Sequence, residues 1–227
     1  MTQEERKRRS REEIYRVALE EFGTNGYEKV TMERICTRHN ISKGMMYHYY
    51  ANKDELFLLC VERTYGDMKD YLEREVAQLP QQNPVEAIKG FFLLREGFFQ
   101  RNPLQQGIFE AAAFRPPNHL LEQIRQLQAP VRALNGRFLQ GLMERCQLRP
   151  GLDQERVARY LEMAEAMFRH SCHSCSQGPG QPDLHRVLER AGELTDFILF
   201  GVLRQPAGMG EISPATPQGN ITEDKEC

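Results

Sequence analysis

Two stretches of this chain carry residue types and spacings that could do chemistry. The first is residues 30–56, VTMERICTRHNISKGMMYHYYANKDEL. A short helix expected over residues 43–49 ends in a group of tyrosines, with Lys43, His48 and Lys53 around it. A helix this short is marginal by itself. Its polar groups suit an outside partner. Hydroxyls and ammonium groups bind phosphate oxygens, and a short helix fits the major groove of duplex DNA.

The second stretch is His170-Ser171-Cys172-His173-Ser174-Cys175. Cys172 and Cys175 are three apart, as are His170 and His173, so on a helix each pair shares a face. Such a set could bind zinc or a softer metal, or act as a redox pair. No second CxxC or HxxxH accompanies it, so a closed zinc site would need a partner subunit or distant residues. The other reading is a helix end with small polar residues and buried thiols, and no metal site is assigned. Enzyme chemistry is not expected. No GxSxG, Walker loop, HExxH or dinucleotide fingerprint occurs. Glu110 and His119 are near each other in sequence but no nucleophile accompanies them. No cofactor is expected either.

Composition sets the frame for these stretches. With 227 residues, 40% hydrophobic and 27% charged, the chain is long enough for one large or two small globular domains. No apolar run reaches the ~18–20 residues that span a bilayer. The N-terminus, MTQEERKRRSREE, is charged throughout with no apolar core, so neither a signal peptide nor export is expected, and a cytoplasmic protein is. The six cysteines read as reduced thiols, several of them buried. A net charge of −2 gives no bulk attraction to polyanions. Arg6, Lys7, Arg8, Arg9 and Arg11 nevertheless cluster at the N-terminus. They form either an arm that reaches phosphates or a minor groove, or a frayed solvated tail.

Helical periodicity positions the candidate residues. A first helix is expected over residues 10–24, with Ile14, Val17, Ala18 and Phe22 buried and Gly26 ending it. Thr31 caps a helix over residues 32–38, Asn40 takes a left-handed turn, and Ser42 caps the next helix. There Met46 and Tyr50 face inward, while Lys43, Gly44, Met45 and His48, with Tyr47 and Tyr49, are left for the outer surface. Asn52 and Glu55 resemble a capping box opening a long helix to about residue 79. Further helices are expected over residues 83–101, apolar almost all round, and 103–114. One kinked at Pro130 should cover residues 118–146, and two more residues 153–175 and 183–203. Residues 204–227, rich in Pro, Gly and polar residues, should be disordered.

These residues resemble the TetR/AcrR family of transcriptional regulators. The likeness lies in residues 14–22, Gly26-Tyr27, Thr31, Ile35, Ser42-Lys43-Gly44, Met46-Tyr47, Tyr49-Tyr50, Asn52-Lys53 and Leu56. Cys36, His39 and Asn40 depart from the residues usual in the family, and Tyr50 stands where Phe is common. The resemblance implies an all-α protein of about nine helices. Residues 1–53 would be a three-helix helix-turn-helix domain with its basic arm, 54–203 a helical effector-binding and dimerisation domain, and 204–227 a tail. It implies a homodimeric repressor on a palindromic double-stranded operator, responsive to a small molecule. It places Lys43, Gly44, Met45 and His48 toward the major groove, and Thr31, Ser42, Tyr47, Tyr49 and Lys53 on phosphates. The implied ligand cavity draws on Phe92, Arg95, Phe99, Phe109, Arg132, Phe138, Met163 and Met167. For each of these the alternative is plain core packing.

Overall fold

The computed structural model describes residues 2–79, 84–153, 155–157 and 159–160. The fold is all-α, with an N-terminal helix-turn-helix unit and a C-terminal helical body. In chain order the helices are α1 (Gln3–Asn25), α2 (Met32–His39), α3 (Lys43–Tyr49), α4 (Lys53–Val76), α5 (Pro84–Arg101), α6 (Pro103–Phe114) and α7 (Leu121–Met143). A 3-10 turn, Asn118–Leu120, leads into α7. The helices expected over 153–175 and 183–203, the tail, and the His170–Cys175 motif lie outside the described residues, apart from the first turn after Asp153. There Arg156 N–H donates to the Asp153 carboxylate at 2.7 Å, as an N-cap should.

α1 is longer than the apolar stripe predicts. Its first buried residue is Ile14, yet it begins at Gln3. The cause is a capping box that lies ahead of the apolar pattern. Glu5 N–H donates to Thr2 Oγ1 at 3.2 Å, and Thr2 N–H donates to Glu5 Oε2 at 2.7 Å. The basic N-terminal segment is therefore helix and not a frayed tail. At its far end Gly26 takes φ 72° and its N–H bonds back to the Phe22 carbonyl.

The turn between α2 and α3 follows expectation. Thr31 and Ser42 cap their helices, and Asn40 sits at φ 54°, ψ 35° in the left-handed region. The expected capping box of α4 forms only by half. Asn52 Oδ1 accepts from Glu55 N–H at 3.0 Å, but the Glu55 carboxylate turns to the N–H of Ala51 at 2.8 Å.

α3 cannot hold itself in place. It fully buries only Met46. Burying a Met side chain contributes roughly 1.5–3 kcal/mol, whereas ordering each backbone residue costs about 1–2 kcal/mol. Caps and neighbours must fix it. The larger of the two apolar clusters among the described residues supplies them, running from Ile14, Val17 and Phe22 through Ile35, Met46, Phe57 and Met68 to Ile108, Ile124 and Leu134. α1 packs chiefly on α6, and α4 on α7, so the N-terminal unit and the helical body share this core.

α5 departs from the all-round burial expected of it. Leu93 is exposed at 62%, while the charged Arg95 is buried. α7 continues through Pro130 as a single helix. No helix among the described residues is long and apolar enough to cross a membrane.

Candidate nucleic-acid interface

α3 presents its polar side chains outward. Tyr47 is 55% exposed, Lys43, Gly44 and His48 are exposed, and Tyr49 is half-buried. A Cβ at Gly44 would meet open space, so glycine leaves the backbone itself at the surface. Met45, expected outside, is half-buried and packs against the core. A helix of seven residues is too short to separate two faces cleanly.

Both capping hydroxyls flank this surface. Thr31 Oγ1 accepts Arg34 N–H and Ser42 Oγ accepts Met45 N–H, each at 3.1 Å. A hydroxyl that accepts in a cap still has its own proton to donate. Thr31 and Ser42 are exposed, so that proton is open to an outside acceptor such as a phosphate oxygen.

The cations are arranged differently. Lys43 Nζ donates to Glu33 at 2.6 Å, a pair exposed on both sides. The hydrogen bond and charge of Glu33 raise the Lys43 pKa, and those of Lys43 lower the Glu33 pKa. In water such a pair is easily exchanged for another partner. Lys53 points partly inward. Its Nζ donates to the carbonyls of Tyr27 and Val30, both at 3.3 Å, and sits 4.0 Å from the Tyr27 ring centroid. Two of three ammonium donors are used, and one remains.

Glu21 and Arg63, neither of them expected here, and Arg11 of the basic cluster hold this surface. The Glu21 carboxylate, buried on α1, accepts Arg34 Nε at 2.7 Å and lies 3.2 Å from both Arg38 Nη1 and His39 Nε2. Burial raises its pKa, but hydrogen bonds from Arg34 and His39 and the charges of Arg34 and Arg38 outweigh it and hold the carboxyl below its ordinary range. Glu21 so fixes α2 and the Asn40 turn against α1. Arg11 places its guanidinium 5.7 Å from the Tyr49 ring centroid, bringing the basic turns of α1 beside the end of α3. Arg63 grips Glu12 at 2.8 Å and covers the Tyr15 ring at 3.9 Å, tying α4 to the same turns. Burial, ahead of nearby charges, pushes the Tyr15 phenol up to about 12. The one sequence signal for Glu21 is an acidic residue on an apolar helix face, which also fits a solvated edge.

The residues expected to line a ligand cavity are partly brought together. Phe91 and Phe138 stack at 4.2 Å, and Phe99 meets Phe109 at 4.8 Å. Arg95 lies 4.3 Å above the Phe91 ring and donates to Asn135 at 2.5 Å. Arg132 turns along its own helix to the Arg125 carbonyl at 2.8 Å. The Phe92 side chain, Met163 and Met167 lie outside what is described. A cleft of about 300 Å³ opens elsewhere, between α4, α5 and the start of α6, lined by Asp67, Tyr71, Arg74, Arg101 and Gln105 among others. These are scattered polar residues of three helices, and no local pattern marks them. Cys36 and Cys60 are buried free thiols, and Cys146 is half-buried.

Residues 14–60 match the family model of the bacterial regulatory proteins of the tetR family. The HTH-type transcriptional regulator BetI of Rhizobium meliloti (strain 1021) is 26% identical over 159 residues, covering 70% of this chain and 73% of BetI. The structure of SmeT, the repressor of the Stenotrophomonas maltophilia multidrug efflux pump SmeDEF, superposes with a TM-score of 0.57 at 25% identity, over 90% of this chain and 97% of SmeT. Thermus thermophilus FadR, a transcriptional repressor solved in complex with lauroyl-CoA, gives 0.55 at 22% identity, over 91% of this chain and all of FadR (100%). That likeness is one of fold.

Proposed function

We propose, from the match of residues 14–60 to the family model and the likeness to BetI and SmeT, that the chain is a TetR-family regulator, a ligand-responsive repressor acting as a homodimer on a palindromic operator. The observation that carries this is α3. A seven-residue helix with one fully buried side chain holds Tyr47, His48, Lys43 and the open backbone of Gly44 toward solvent. No packing requirement explains that surface. A major groove does.

In this reading Lys43, Gly44, Met45 and His48 meet base edges, and Thr31, Ser42, Tyr47, Tyr49 and Lys53 hold phosphates. Met45 contributes only the edge of its side chain, since the rest packs inward. The basic first turns of α1 continue the phosphate-binding surface beyond Tyr49. Residues 1–53 form the DNA-binding unit, and 54–203 bind the effector and the second copy.

The effector is a small organic molecule, held near Arg95, Phe99, Phe109 and Phe138, with Phe92, Arg132, Met163 and Met167 as the further expected contacts. Its binding moves α4, and the separation of the two α3 helices departs from the roughly 34–36 Å that successive major grooves require. A metal or thiol sensor built on Cys172 and Cys175 is the alternative, and release of DNA by a chelator or thiol oxidant would favour it.

Selection of duplexes from a random pool by the full chain, followed by footprinting, tests the proposal. The expected product is a site with two half-sites related by a two-fold and centred one helical turn, or a multiple of it, apart. Failure to enrich any sequence over nonspecific duplex overturns the reading.

A further inference from the structure

Three polar side chains from three different segments meet where the turn Asn118–Leu120 approaches the start of α4. Tyr27, in the link between α1 and α2, donates its hydroxyl to Asp54 Oδ1. The other oxygen of Asp54, Oδ2, lies 3.1 Å from His119 Nε2, which is also 3.3 Å from the Tyr27 hydroxyl. An ionised carboxylate only accepts, so Nε2 carries the proton that faces it. The Tyr27 ring is buried against Phe22 and Phe57 and lies under the Lys53 ammonium.

His119 belongs to the connection between α6 and α7. Through Asp54 it touches the first turn of α4, and through Tyr27 it touches the residue on which Lys53 rests. A second close contact joins the same two parts of the molecule: the backbones of Gly23 and Gly107 cross so closely that a Cβ on Gly107 would lie 1.9 Å from the Gly23 carbonyl oxygen. The shared apolar core holds α1 on α6 and α4 on α7, but apolar packing is non-directional. Asp54–His119 adds a directional polar contact at the first turn of α4.

We propose that His119 is a positioning residue, the tether by which the helical body sets the pose of the DNA-reading unit. The proposal rests on the DNA-binding reading above. Its consequence is that part of the DNA affinity depends on a side chain in the connection between α6 and α7, and that a ligand shifting that connection acts on the first turn of α4 through it as well as through the packed core. Coupling of this kind between two sites is commonly worth 5-fold or more in affinity.

The experiment compares the full chain with His119→Ala, Asp54→Asn, the double variant and His119→Gln. Two readouts are taken: affinity for a duplex selected by the parent, and amide hydrogen exchange. His119→Ala and Asp54→Asn are each expected to weaken duplex binding about 5-fold or more, with the double variant no weaker than either alone. His119→Gln, which keeps an N–H donor, should recover most of the loss. Exchange should quicken at 53–57 and stay unchanged through 121–143, which separates lost positioning from general unfolding. Unchanged affinity in His119→Ala, simple multiplication of the two losses, or no rescue by Gln overturns the proposal. If the parent enriches no duplex, the DNA-binding reading fails, and exchange at 53–57 alone then decides whether the tether exists.

Discussion

Gly107 of α6 lies directly against the backbone of Gly23 in α1. A Cβ on Gly23 would in turn come within 2.5 Å of the Leu104 carbonyl oxygen. Backbone cannot yield to such contact as a flexible side chain can. Gly107→Ala is therefore expected to destabilise the fold by about 3 kcal/mol or more, above the usual range for overpacking, although alanine normally favours a helix interior. Denaturant unfolding of the two proteins checks this. A neutral or stabilising result would mean that α6 can slide along α1.

Glu21 offers a pH-dependent test. Its carboxyl is held below the ordinary range by Arg34, His39 and Arg38. A depressed folded pKa adds stability that is fully present above the unfolded value, about 4.3, and lost as pH falls through the lower folded value. Glu21→Gln should therefore lower stability by about 3–5 kcal/mol at pH 7, with a gap to the parent that narrows as pH falls below the unfolded value. Urea titrations at several pH values read it directly. A gap that does not vary with pH would assign the loss to packing.

Tyr47 and Lys53 should separate binding from stability. Tyr47 is 55% exposed, so Tyr47→Ala is expected to leave the melting temperature almost unchanged while weakening duplex binding about tenfold. Lys53 holds two backbone carbonyls at 3.3 Å. Lys53→Ala should cost both binding and about 1 kcal/mol of stability. Thermal melts beside anisotropy titrations distinguish the two, and full-strength binding by the double variant would remove these residues from the interface.

The helical N-terminus predicts a salt signature. Arg8 lies one turn before Arg11, on the face that reaches Tyr49. Replacing both by Ala should weaken binding similarly for different duplexes and reduce the log–log salt slope by about 0.9 for each phosphate no longer neutralised. An unchanged slope would return these arginines to ordinary solvated surface.

The local elements around α3 follow from short-range signals in the chain. Thr31, Asn40, Ser42 and Asn52 act within a few residues of themselves, through caps and a left-handed turn, so their consequences were readable without knowing the rest of the fold. The buried stripe of α1 and the unbroken course of α7 through Pro130 were readable for a related reason, because periodicity is a local property. The start of α1 is also local, but its Thr2–Glu5 box stands outside the apolar pattern, so periodicity alone does not reveal it.

Tertiary structure decided everything that needs two distant segments. Glu21 meets Arg34 and His39 because α1 and α2 cross. Met45 is half-buried because it packs against the core that the other helices supply. Asp54 meets His119 across 65 positions of chain. Hydrogen bonds and ion pairs of this kind depend on distances of a few tenths of an ångström, set by how helices pack and not by the residue types that take part. The residue types could announce a surface for DNA; only the packing could show what holds that surface in place.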